Sequence, residues 1–236
     1  MPRLFHAAIL LVIALVDATK LTAQESNRQV DVPLVITNVV QLVKELQATH
    51  PKDLLKDSAG RVYQVTLCSR WANDHNLKLL GNLDSLRGLI ISPSIYEGNL
   101  RAGNDFGGDR FEILTEQGFA ALGSNTNLSS LHLICMGDLP QNMFRQVCSL
   151  IQLRELEVGA SRPPAAEYSC ITNLQNLTVL RVHNCPNFTD QELSHLTNLT
   201  KLKSLAIQYN GLTSGSTNLL RDMPSLTNIV FTPWTH

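Results

Sequence analysis

One pattern recurs seven times along this chain and limits what it can fold into. Leu-x-x-Leu-x-Leu, with Val, Ile or Phe substituting, falls at Val62, Val65, Leu67; Leu86, Leu89, Ile91; Leu128, Leu131, Leu133; Leu153, Leu156, Val158; Leu177, Leu180, Val182; Leu202, Leu205, Ile207; and Leu226, Ile229, Phe231. The middle residue advances by 24, 42, 25, 24, 25 and 24 positions, so one interval is long. A unit this short cannot bury its apolar face alone, and neighbouring units must stack. Leucine supplies 39 of the 236 residues, the excess that such stacking requires.

Within each copy the last two apolar positions alternate with polar ones, the signature of a short strand buried on one face. Between strands the period lengthens toward that of a helix. Phe188-Thr189-Asp190-Gln191-Glu192-Leu193 places a capping residue ahead of Leu193, Leu196 and Leu199. Asn73 to Leu77 and Leu114 to Phe119 repeat that start signal.

These residues resemble those of leucine-rich repeat proteins from about Val62 onward. The resemblance implies an α/β fold, a right-handed horseshoe solenoid with about seven parallel strands on its concave face and short helices or turns on the convex side. It also implies a ladder residue three positions after the last strand apolar, held by Cys185 and Asn210 in two copies. Arg70, Ser94, Met136, Ser161 and Trp234 occupy that place in the others, so the expected ladder is imperfect. Leu180 to Cys185 followed by Phe188-Thr189-Asp190 is similar to exported bacterial members with a cysteine-containing, Thr-Asp-x-x-Leu repeat. Paired-cysteine caps and the plant-type Gly-x-Ile-Pro motif are absent, which favours a bacterial source.

Outside the repeats, Arg3 precedes an apolar run from Ala7 to Val16, too short to span about 30 Å of hydrocarbon. Residues 1–23 therefore read as a cleaved signal peptide with the cut after Ala23, Ala18 being the alternative, and the mature protein as secreted or periplasmic without membrane insertion. Residues 24–57 read as an N-terminal helical cap: one amphipathic helix broken near Pro51, then a short apolar turn at Leu54 and Leu55. The repeat domain is 58–236, with the long interval placed in a rim insertion, 93–110. Five cysteines give no paired framework. The repeat register does not align Cys148 with Cys170, which counts against a bridge between them without deciding it.

Nineteen basic residues against twenty acidic ones provide no field for nucleic acid or an anionic membrane. Asp105-Phe106-Gly107 lacks every companion of a kinase signature and reads as chance. His183 and Cys185 should leave the strand on opposite faces, which argues against a shared metal ion. Asn127, Asn176, Asn187 and Asn198 begin glycosylation sequons that the repeat's own composition generates. No cofactor motif is present.

The exposed residue between the last two strand apolars should form a row with neighbours about 4.8 Å apart: Thr66, Ile90, His132, Glu157, Arg181, Ala206, Val230. Polar groups gather in its middle. The expectation is non-catalytic binding of a protein or other macromolecule through His132, Glu155, Glu157, Arg181, His183 and Gln208. Glu157 should be answered within the sheet, leaving Glu155 and His183 freer for a partner. The alternative is an enzyme using His, Glu and Arg in acid-base chemistry, disfavoured because an open sheet does not exclude water.

Overall fold

The computed structural model describes residues 37–68, 71–92, 114–213, 215–221, 223 and 225–232. The segments read as a signal peptide, 1–23, and as a rim insertion, 93–110, lie outside them.

The chain enters through α1 (Val39–Thr49), capped by Asn38, whose side chain accepts from the Gln41 amide at 2.9 Å. Leu42 and Leu46, one turn apart, are fully buried. Leu54 and Leu55 form no turn. They begin β1 (Leu54–Lys56), which pairs antiparallel with β2 (Val62–Leu67). A solenoid's first strand would otherwise leave a row of backbone groups unpaired, and three residues of extended chain satisfy it.

From β2 the sheet runs in chain order through β3 (Gly88–Ile91), β4 (Ser130–Asp138), β5 (Glu155–Arg162), β6 (Val179–His183), β7 (Ser204–Gln208) and β8 (Asn228–Thr232). All six of these pairings are parallel, giving seven parallel strands and one antiparallel cap strand. The registers bring Val65, Leu89, Leu131, Leu156, Leu180, Leu205 and Ile229 into one row. Each is fully buried as far as Leu205, whereas Ile229 on the last strand is 45% exposed. The core is thus a column of aliphatic layers, one per repeat.

The returning segments close the other side of this column. They are α2 (Asp74–Gly81), α3 (Glu116–Leu122), α4 (Met143–Cys148), a 3-10 helix at Ala165–Asn173, α5 (Asp190–Ser194) and α6 (Ser216–Arg221). Helices start where the capping signals stand: Asn73, Thr115 and Thr189 each accept a backbone N–H of the first turn, and Thr189 with Glu192 forms a reciprocal capping box. Phe144, Tyr168 and Phe188 stack edge to face across three repeats, ring centres 5.3 and 5.1 Å apart. Such pairs add about 1 kcal/mol each beyond the area they bury. The Tyr168 hydroxyl is buried without a hydrogen-bond partner among the described residues, and burial raises its pKa.

Each strand from β4 to β7 carries a left-handed residue at or near its end: Cys135 (φ 57°) and Ala160 (48°) inside β4 and β5, where the pairing is irregular before it resumes at Gly137 and Ser161, and Asn184 (54°) and Tyr209 (54°) just after β6 and β7. The next residue turns inward, and there the ladder forms. Asn210 donates to the Val182 carbonyl at 2.8 Å and accepts from the Cys185 amide at 2.8 Å. The Cys185 thiol donates to the Ser161 carbonyl at 2.9 Å, and burial pushes its pKa up to about 11. Ser161, against expectation, is a ladder member too: its hydroxyl donates to the Leu133 carbonyl and accepts from the Met136 amide. A small hydroxyl meets the same geometric demand as Asn or Cys once the backbone comes close enough.

Cys148 and Cys170 are joined in a disulfide with Cα atoms 5.7 Å apart, contrary to the register argument. Cys148 ends α4 and Cys170 sits in the following 3-10 helix. That helix rises about 2.0 Å per residue against about 1.5 Å in α4, which absorbs the offset between the two positions.

Candidate functional site

On the open face of the sheet the expected row forms. Thr66, Ile90, His132, Glu157, Arg181, Ala206 and Val230 are successive register partners. Residues two positions away on each strand share that face. Glu155 therefore stands beside Glu157, and His183 beside Arg181.

Arg181 and His183 pair diagonally, while His132 also meets Glu157 straight across. The Arg181 guanidinium donates through Nη1 to Glu155 Oε1, reaching back two residues along the neighbouring strand. His183 Nε2 lies 2.9 Å from Glu157 Oε1. His132 spans both acids, Nδ1 at 3.3 Å from Glu157 Oε2 and Nε2 at 3.4 Å from Glu155 Oε1. Glu155 and His183, expected to be free, are thus both engaged. The reason is Gly159, the register partner of His183. A Cβ built there would fall 2.2 Å from the imidazole Cε1 and 2.3 Å from Nε2, so the ring occupies the space a side chain would need. From that seat it meets Glu157.

Solvent exposure grades across the cluster. Glu157 is 16% exposed, His132 19%, His183 27%, Glu155 31% and Arg181 41%. The hydrogen bond from His183 holds the Glu157 carboxyl below the usual glutamate range; burial opposes this, and the charges of His132, His183 and Arg181 add to the lowering. Gln208 stands apart. Its amide donates toward the Thr232 hydroxyl at 3.5 Å, on the last strand. Five of the six expected residues therefore form one connected group and the sixth does not.

Two participants escaped the reading of the sequence. Gly159 is one, and a glycine inside a strand opposite a histidine is the signal that marks it. Ser130 is the other, its Oγ 3.1 Å from His132 Nε2. Ser130, His132 and Glu157 follow one another as hydroxyl, imidazole and carboxylate, an order associated with nucleophilic catalysis. Glu155 shares the same His132 nitrogen, however, and competes with the hydroxyl for it. Strand N–H groups beside Ser130 are committed to the sheet ladder, which leaves them unable to stabilise an oxyanion.

Among the described residues no group of three or more His, Cys, Asp or Glu side chains is placed to hold a metal ion. A shallow depression lies on the helical side, lined by Asp74, Thr115, Glu116 and Asn142 among others. Its carboxylate Asp74 already accepts from the Thr115 amide at 2.8 Å. No described helix is long and apolar enough to cross a membrane.

No family model matches the chain, and no curated protein matches it. Solved structures do. An internalin from Listeria monocytogenes is 15% identical over 76% of this chain and 58% of its own, with a TM-score of 0.35. A leucine-rich repeat protein of Leptospira interrogans is 20% identical over 82% of this chain and 40% of its own, with a TM-score of 0.43. The ectodomain of the Arabidopsis receptor kinase HAESA, in complex with a peptide hormone, is 16% identical over 77% and 36%, with a TM-score of 0.33. The chain spans well under two thirds of the length of each of these three. The periodic leucines, the stacked parallel strands and the Ser161, Cys185, Asn210 ladder of this chain together make its fold a leucine-rich repeat solenoid.

Proposed function

We propose that the open sheet face binds a protein or other macromolecular partner, without catalysis, through Arg181 together with His132, Glu155, Glu157, His183 and Gln208. The observation that carries this is the arrangement of the cluster. Arg181 is its most exposed member, yet its guanidinium is held in place by Glu155. One of five N–H donors is spent on that pair, which leaves the others for a partner's carboxylate or carbonyl. A guanidinium fixed before binding loses less side-chain entropy on docking than a free one. Catalysis is disfavoured by the competition of Glu155 for His132 and by an uncovered sheet that water reaches freely.

We also propose that the protein works in an exported, oxidising setting. The short apolar run near the N-terminus and the Cys148–Cys170 disulfide are consistent with one another in this, since structural disulfides persist outside the reducing cytosol. Affinity capture from cell-envelope extract with the chain lacking residues 1–23 should recover a partner, and Arg181→Ala should weaken its binding about tenfold or more, as expected for truncating a desolvated Arg. Unchanged affinity in the Arg181→Ala, Glu155→Ala double variant would move the interface elsewhere.

A further inference from the structure

A second row crosses the sheet at the rim where the strands begin. Tyr63, Arg87, Ser129, Arg154, Thr178, Lys203 and Thr227 follow one another, each amide donating to the preceding carbonyl at 2.7 to 2.9 Å. From Arg87 onward it alternates strictly: a cation just before β3, β5 and β7, a hydroxyl just before β4, β6 and β8. Arg87, Arg154 and Lys203 are exposed, and none makes an ion pair with a described residue. The loops leading into these strands, 82–87, 123–129, 149–154, 173–178 and 198–203, carry four cations and one acid, Asp84.

The hydroxyls are as informative as the charges. Ser129, Thr178 and Thr227 donate to the carbonyls of Arg87, Arg154 and Lys203 at 3.2, 2.9 and 3.2 Å. Their protons are spent inside the protein, and what they present outward is acceptor lone pairs. A ligand lying along the rim thus meets cation, acceptor, cation, acceptor, with cations two strands or about 9.6 Å apart. Polyphosphate fits this poorly, because its charges recur every few ångströms and the acceptors repel them. An extended peptide fits both elements, carboxylates to the cations and backbone N–H to the hydroxyls. In a polyproline II helix, residues three apart share one face and are separated by about 9.3 Å, almost the period of the rim. Tyr63 at the head of the row and Ile151, 60% exposed on the loop before Arg154, offer the apolar contact such helices use.

We propose that this rim docks an acidic peptide segment in polyproline II conformation with a carboxylate at every third residue. The row borders the Arg181 cluster, Arg154 preceding Glu155 and Ser129 preceding Ser130, but shares no residue with it. The test uses a fluorescent dodecapeptide of four Glu-Pro-Ala units, a peptide of the same composition with its glutamates contiguous, and an oligothymidylate of matched charge, each titrated against the full chain by anisotropy. The spaced peptide should bind in a salt-sensitive manner. Its affinity should fall about tenfold or more in Arg154→Glu, Lys203→Glu and stay unchanged in Arg181→Ala, a result independent of the sheet-face reading. Arg154→Gln, Lys203→Gln gives the same readout should charge reversal prevent folding. No binding of the spaced peptide, equal binding of the contiguous one, tighter binding of the oligonucleotide, or full affinity in the double variants would each overturn the proposal.

Discussion

Gly159→Ala tests how the sheet-face cluster is held together. The new methyl would sit 2.2 Å from His183 Cε1, a separation that real Cβ atoms do not show, and the three nearest atoms all belong to that imidazole. The ring is the end of a rotatable side chain, so it swings away and its 2.9 Å contact with Glu157 is lost. A hydrogen bond to a charged group contributes about 1.5–3 kcal/mol when buried. Partial exposure of both partners reduces this to about 1 kcal/mol. Against it stands the gain from replacing glycine in an extended segment, about 0.5 kcal/mol. The expectation is therefore a sign reversal. Gly159→Ala should destabilise the wild type by about 0.5 kcal/mol and stabilise His183→Ala by about 0.5 kcal/mol, as measured by urea unfolding of the four proteins of the cycle. Equal destabilisation in both backgrounds would show that the methyl meets something other than the imidazole, and would refute the seat assigned to His183.

Asn210→Ala should cost about 2–4 kcal/mol in the same assay, because it strands the Val182 carbonyl and the Cys185 amide in the core. Opening the 22-residue loop by replacing Cys148 and Cys170 with Ser should cost about 3 kcal/mol, and reductant should lower the unfolding midpoint of the wild type but not of the variant. Glu157→Gln should lower stability at neutral pH. The Glu157 carboxyl is depressed in the folded state, so its contribution is present above the ordinary glutamate range and fades as pH falls through the folded value. Melting curves of wild type and variant should accordingly converge on acidification.

The strand register, the helix starts and the residues of the sheet-face row were all legible as spacing, since a strand has period two and every repeat restarts the count. The diagonal pairing was not. It depends on how far Arg181 reaches and on the missing side chain at Gly159, neither of which a period encodes. Ser161 was passed over because the ladder is defined by what an inward side chain must donate, and residue type is only a proxy for that. The Cys148–Cys170 bridge was hidden for a different reason. Segments on the helical side are aligned by rise per residue, and α4 and the 3-10 helix after β5 differ in rise.

The left-handed residue at or near the end of each strand from β4 to β7 also guards the alignment of the stack. A slip of one residue turns leucines to solvent and is rejected by burial alone. A slip of two keeps every apolar residue on its own face, and hydrophobicity scarcely opposes it. Moving the exits by two in one direction would force Val158, Val182 and Ile207 into positive φ, which β-branched residues strongly resist. In the other direction it would demand positive φ of Pro186, whose ring forbids it. Backbone chirality at Cys135, Ala160, Asn184 and Tyr209 thereby supplies the phase information that the leucines lack.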